Sequence, residues 1–152
     1  MSTKEWGNIT WKLFHTLVAQ IKEEHFDKVK NKLVNIVINT CKNLPCPFCA
    51  EHASNKVLKR AYIQNIKTKE HFIEFIRQLH NIVNIKLMKK VYSINEVNNM
   101  YKNENLGIII NEFFKIYSIQ YHNMRLMTNS MYRKIFLNDL MNDLHSIRYA
   151  FN

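Results

Sequence analysis

Residues 43–53 read NLPCPFCAEHA, from Asn43 to Ala53, and they put two of the chain's three cysteines and a histidine close together. A Cys-x-x-Cys set between strands would indicate a thioredoxin-like α/β fold, so its surroundings decide the architecture. No βαβ unit can be read around it. Upstream, Val29, Leu33, Ile36, Val37 and Thr40 recur at helical spacing over about 26–42, and Asn43 and Pro45 stop that helix. Downstream, prolines are tolerated in a first helical turn, so Pro45 and Pro47 put Cys46 at or near the start of a new helix. Ala50, Ala53 and Val57 carry that helix to about Tyr62.

The same period runs outward in both directions. Ile9, Leu13, Leu17 and Ile21, widened by Trp11, Phe14 and Val18, predict a first helix over about 6–22. Thr68 can cap a fourth, whose stripe of Phe72, Ile73, Phe75, Ile76, Leu79, Val83 and Leu87 ends near Lys90. Ser93 and Glu96 form a capping box for a short fifth helix to about Tyr101. Beyond Gly107, two more apolar-periodic stretches cover about 108–121 and 128–149. They are rich in Phe113, Phe114, Ile116, Tyr117, Met124, Leu126 and Met127. With two glycines and two prolines in 152 residues there are few places for a sheet to turn, and the expectation is an all-α chain with one core.

The net charge of +10 favours an anionic partner, whether a phosphate-bearing cofactor or an acidic protein surface. The lysines are spread along the chain rather than massed, and no nucleic-acid site is expected. No apolar run approaches the ~20 residues that span a bilayer, and no signal-peptide core follows Lys4 and Glu5, so a soluble, non-secreted protein without a membrane partner is expected. Three cysteines in a reducing compartment then suggest catalysis or metal binding before a disulfide framework.

Two chemistries fit the cysteines. Cys41, Cys46, Cys49 and His52 supply the ligand types of a Cys3His zinc site, which would make the chain a basic helical binding module. Alternatively, Cys46 and Cys49 form a redox pair, one turn apart at a helix N-terminus that stabilises a thiolate. A redox pair needs an electron acceptor, and two other places suggest one. Trp11 and His15 share a face of the first helix. On the fourth, His80 and Asn84 share a face, followed by Lys86, Lys89 and Lys90. Polar groups within an apolar stripe are costly unless satisfied, so this line of His and Asn fits a ligand with many acceptors and a phosphate. Taken singly, the histidines read as satisfied core residues and the asparagines as solvent-facing ones.

The ordered set W-x4-W-x3-H, P-C-x-x-C and H-N-x-V-N-x-K-L-x-K, spread over about 6–101, resembles the Erv/ALR family of FAD-linked sulfhydryl oxidases. It is most similar to the short enzymes of large cytoplasmic DNA viruses. The resemblance implies a four-helix bundle with a short fifth helix, holding FAD at the bundle's mouth. Residues 1–104 would be the oxidase domain, and 105–152 a helical extension packed on the bundle or at a dimer interface. Cys46 and Cys49 would be catalytic, with no metal. Gly7, Trp11, His15, Cys49, His80, Asn81, Val83, Asn84, Lys86, Lys89 and Tyr101 would contact the cofactor.

It further implies thiol–disulfide exchange at Cys46, electron transfer from Cys49 to FAD, and reoxidation by dioxygen with release of hydrogen peroxide. The expected partners are a thiol-bearing protein substrate, such as a small thioredoxin-like viral relay protein, and a second copy in a homodimer. The expected location is the host cytoplasm or the virion. The chain departs from the family pattern in three respects. Asn8 stands where many members carry Arg, there is no second Cys-x-x-Cys, and the cysteines of the structural disulfide near the adenine are missing. Cys41 matches no motif and reads as packing, a third redox thiol or a metal ligand.

Overall fold

The computed structural model describes residues 3–58, 63–123 and 130–151, and among these there are helices and helical turns but no strand. Helix α1 (Thr3–Gln20) is followed after a two-residue turn by α2 (Glu23–Lys42). Helix α3 (Pro47–His52) passes into a π-helical turn, Ala53–Val57. Then come α4 (Lys69–Lys86), α5 (Ile94–Tyr101), α6 (Leu106–Asn123) and α7 (Ser130–Ser146), with a closing 3-10 turn at Arg148–Ala150.

The caps fall where the side-chain chemistry requires. Thr68 accepts from the His71 backbone N–H at 3.1 Å, and the Ser93–Glu96 capping box is complete. Helix α4 ends four residues earlier than its apolar stripe suggests. Met88 turns into the left-handed region with φ 58°, its N–H bonds the Ile85 carbonyl at 3.1 Å, and the Lys89 N–H bonds the Asn84 carbonyl at 2.8 Å. This is the Schellman arrangement with methionine in the place usually taken by glycine, so no sequence stop marks it. Helix α3 likewise changes to π geometry at Ala53 instead of running on as a regular helix. Its expected end at Tyr62, and Met124, Leu126, Met127 and Thr128 ahead of α7, lie outside the described residues.

Helix α1 is the centre of the molecule. Ile9, Leu13, Phe14, Leu17, Val18 and Ile21 are buried as the stripe predicts, but Trp6, Thr10, His15 and Thr16 are buried as well. The reason is that α1 packs against α4 and α5 on one side and most extensively against α6 on another. From α6, Ile109, Phe113 and Tyr117 join the same core, with the Phe113 and Tyr117 rings stacked 3.9 Å apart. The Tyr117 hydroxyl meets the Thr10 hydroxyl at 2.5 Å. Helix α7 lies on α2 and contributes Phe136, Leu140 and Leu144. The C-terminal 3-10 turn is tied to the α1–α2 turn where the Lys22 N–H bonds the Ala150 carbonyl at 2.8 Å. At ~1.5–3 kcal/mol for each fully buried large apolar side chain, this shared core is the main stabilising term.

Candidate active site

Cys46 and Cys49 are joined in a disulfide, with Cα atoms 5.2 Å apart. Their geometry follows from the prolines. Cys46 is the extended N-cap residue of α3, Pro47 occupies the first turn where no N–H is needed, and the Cys49 N–H donates to Cys46 Sγ at 3.2 Å. Both cysteines are half-buried. The sulfur of Cys46 therefore stands in for the oxygen of an ordinary capping side chain, where the free N–H groups of the helix stabilise negative charge. Cys41 is different: it is buried in the core at the end of α2, where desolvation pushes its thiol up to about 12 and makes it inert. Among the described residues no group of three His, Cys, Asp or Glu side chains is arranged to hold a metal ion. The Cys3His arrangement is thus not assembled by these residues.

The second half of the site is a cluster of flat rings between α1, α4 and α5. Trp11 and His15 are on one face of α1 as expected, with centroids 6.3 Å apart, yet the close stacking is made across helices. Trp11 stacks on His80 at 4.1 Å and 12°, and His15 stacks on Tyr101 at 4.4 Å and 4°. His15 Nε2 and His80 Nδ1 are hydrogen-bonded at 2.9 Å. Burial and the neighbouring His80 lower the pKa of His15 to about 3, and burial together with Lys89 lowers that of His80 to about 4. Both imidazoles are neutral at physiological pH, one donating the shared proton and one accepting it. Burial also pushes the Tyr101 hydroxyl up to about 12, so it stays protonated.

The asparagines of α4 separate into two roles. Asn81 spends its amide on the backbone of Tyr92, donating to the carbonyl at 2.9 Å and accepting from the N–H at 3.0 Å. It fastens the loop that leads from α4 to α5, and Arg77 supports the same carbonyl at 3.0 Å. Asn84 is buried and its Nδ2 has no partner among the described residues, and the same holds for His15 Nδ1. Orphaned buried polar atoms are rare and costly, and these two belong to the ring cluster and its helix. Val83 is half-buried beside them, and a Cβ added at Gly7 would meet nothing within 4 Å. Lys89 is near enough to His80 to lower its pKa, while Lys86 lies over the Phe48 ring at 5.8 Å from its centroid.

That last contact ties the two halves together. Phe48 lies between the two cysteines, and Lys86 follows His80 by six positions, ~9 Å of helix. A flat, acceptor-rich, phosphate-bearing cofactor such as FAD fits these residues. Half-buried Trp11 and His80 offer ring surface, backed by the buried His15–Tyr101 stack, Asn84 Nδ2 is a donor in need of an acceptor, and Lys89 is a cation. Periodicity alone did not reveal Tyr92, Phe48 or Met88, because each matters through a backbone bond or an exposed position across a turn.

Three comparisons bear on this geometry. The chain matches the Erv1 / Alr family over residues 8–102, more than half its length. It is 29% identical over 104 residues to the "FAD-linked sulfhydryl oxidase" of an African swine fever virus isolate, Tick/Malawi/Lil 20-1/1983, covering 68% of this chain and 86% of that one. It is 30% identical over 98 residues to "FAD-linked sulfhydryl oxidase ERV1" of Oryza sativa subsp. japonica, covering 64% of this chain and 50% of the rice protein. The chain thus spans most of the viral relative and half of the plant one. No solved structure matches the chain. Cysteine pair, ring cluster and family match all fall within the first five helices, and the chain belongs to the Erv1 / Alr family.

Proposed function

We propose that the chain is a FAD-linked sulfhydryl oxidase that forms disulfides in partner proteins through Cys46 and Cys49. The observation that carries this reading is the Cys46–Cys49 disulfide, capping α3 and joined through Phe48 and Lys86 to the helix that bears His80 and the orphaned Asn84 amide. A substrate thiolate attacks Cys46 Sγ, forming a mixed disulfide and releasing Cys49 as a thiolate. A second substrate thiolate then displaces Cys46, whose departing negative charge is met by the Cys49 N–H. A leaving sulfur held at a helix start leaves faster because its thiol pKa is lowered.

When bound, FAD supplies the two-electron acceptor that dioxygen re-oxidises, with hydrogen peroxide as product. Trp11, His15, His80, Asn84 and Tyr101 would bind and orient it, Gly7 and Val83 would give it room and an apolar wall, and Lys89 would meet its phosphates, while Lys86, expected from the sequence to do the same, lies over Phe48 between the two cysteines. Cys49 would be the sulfur nearer the cofactor, with Cys46 left to the substrate. Asn81 acts mainly by holding the α4–α5 loop. Residues 1–104 carry this chemistry. The substrate would be a small thioredoxin-like relay protein in the host cytoplasm or the virion, a location supported by the viral relatives. No described helix is long and apolar enough to cross a membrane.

The test is the visible spectrum of the purified protein. A flavin band that bleaches with dithiothreitol without oxygen, and thiol-dependent oxygen uptake lost in both Cys46→Ser and Cys49→Ser, is the expected result. A colourless protein that takes up no FAD would overturn the reading.

A further inference from the structure

Around the contact of Lys86 with Phe48, which lies between the two cysteines, four large apolar side chains stand in solvent. Phe48 is 73% exposed, and at the end of α4 Ile85 is 67%, Leu87 53% and Met88 94% exposed. The two groups meet at Lys86, over the Phe48 ring. Single exposed hydrophobic residues need no explanation, but a cluster next to a reactive disulfide does. Met88 adds a second observation: it holds the left-handed helix stop at φ 58°, where glycine would sit without strain. A costly backbone state thus presents the most exposed large apolar side chain among the described residues.

Charge selects the occupant. Lys86, Lys89 and Lys90 fall within five positions of a chain that carries +10 overall. Lys90 is paired with Glu96 at 2.8 Å, whereas neither Lys86 nor Lys89 has a carboxylate at ion-pair distance among the described residues. Glu51 on α3 is the one exposed acid near the cysteines in sequence. A second copy of the chain would bring the same lysines face to face, which disfavours it, while an acidic surface would be drawn in.

Resting on the oxidase reading above, we propose that Phe48, Ile85, Leu87, Met88 and Lys86 form the docking surface for the substrate. The substrate it fits is a protein segment whose two thiols are flanked by apolar and acidic side chains. In the exchange the segment loses two protons and two electrons to the Cys46–Cys49 disulfide. It leaves as a disulfide, with Cys46 and Cys49 as thiols, and the oxidase cycle re-forms the pair.

The experiment uses the full chain loaded with FAD and three dithiols: a synthetic peptide with two cysteines flanked by leucine and glutamate, its lysine-for-glutamate counterpart, and dithiothreitol. The acidic peptide should exceed the basic one about tenfold in kcat/KM, a gap that closes as sodium chloride is raised. Ile85→Gln and Met88→Gly should each lower kcat/KM for the acidic peptide about fivefold through KM, leaving bound FAD and dithiothreitol turnover unchanged. Met88→Gly keeps folding out of question because glycine suits that backbone.

Equal rates for the two peptides would overturn the proposal. Loss of FAD in the variants would assign the patch to the cofactor site and overturn it too. So would a wild-type dimer that the variants dissociate, or binding to anionic phospholipid vesicles that they abolish. Failure of the unchanged protein to oxidise dithiothreitol would instead overturn the oxidase reading itself.

Discussion

Replacing Asn84 by leucine removes a buried amide whose Nδ2 has no partner, so its effect should depend on the cofactor. Without FAD, stability should be unchanged or rise by up to ~1 kcal/mol, because a desolvated donor is no longer stranded. FAD affinity should fall about tenfold or more, the worth of one buried hydrogen bond. Denaturant melts of the apo form and a flavin fluorescence titration separate the two effects; equal losses in both would mean the amide is satisfied within the chain. Met88→Gly should raise unfolding free energy by ~1 kcal/mol in the same melts, since an L-residue at φ 58° carries a cost that glycine does not.

The two histidines predict a pH dependence. Their folded pKa values, about 3 and about 4, lie below the ordinary 6.5, so the unfolded chain binds more protons than the folded one as pH falls through 6.5. Their contribution is fully present above 6.5 and is lost on the way down, to about 4 for His80 and about 3 for His15, at ~1.4 kcal/mol per pH unit for each excess proton. Thermal melts between about pH 6.5 and 5, above most carboxylate titration, should show this slope, and His80→Gln should flatten it.

At the scale of elements, α6 supports the site from behind α1 and from the end of α2, where the Tyr121 hydroxyl donates to the Asn43 carbonyl. The Tyr117 hydroxyl is bonded to Thr10, the residue before Trp11, and Thr10 also donates to the Trp6 carbonyl at 2.5 Å. Tyr117→Phe should cost ~1 kcal/mol in a chemical melt, and a cost near zero would show that Thr10 is satisfied by Trp6 alone. Most elements were legible from sequence because their stripes and caps are local: Thr68 and Ser93 start their helices where their side chains reach back to the third N–H. The end of α4 was not legible. Leu87 continues the apolar period, and the stop is made by backbone bonds around a methionine that no propensity rule places there. The burial of Thr10 and Thr16 was also hidden, since α1 reads as a one-sided stripe until α6 covers it.

For the molecule as a whole, the shared core predicts that the chain cannot be cut at the expected boundary of the oxidase domain, just beyond its family match. A chain ending at Glu104 would expose the faces of α1 and α2 now covered by Ile109, Phe113, Tyr117, Phe136 and Leu140. It should lose cooperative melting or aggregate, read by circular dichroism and gel filtration; a soluble fragment with full FAD content would show that the extension is dispensable. FAD should also raise the melting temperature of the intact chain through binding linkage, by an amount that grows with its concentration.

The sequence by itself determined the helical class, the helix starts capped by Thr68 and Ser93, the place of Cys46 at a helix N-terminus and the family, because each rests on local spacing or an ordered motif. Only the tertiary structure decided which rings stack, that Asn81 holds a loop while Asn84 is stranded, and that Lys86 at the end of α4 lies over Phe48 between the cysteines. Those outcomes depend on where side chains distant in sequence meet, and helix period says which face a residue occupies but not what the face encounters.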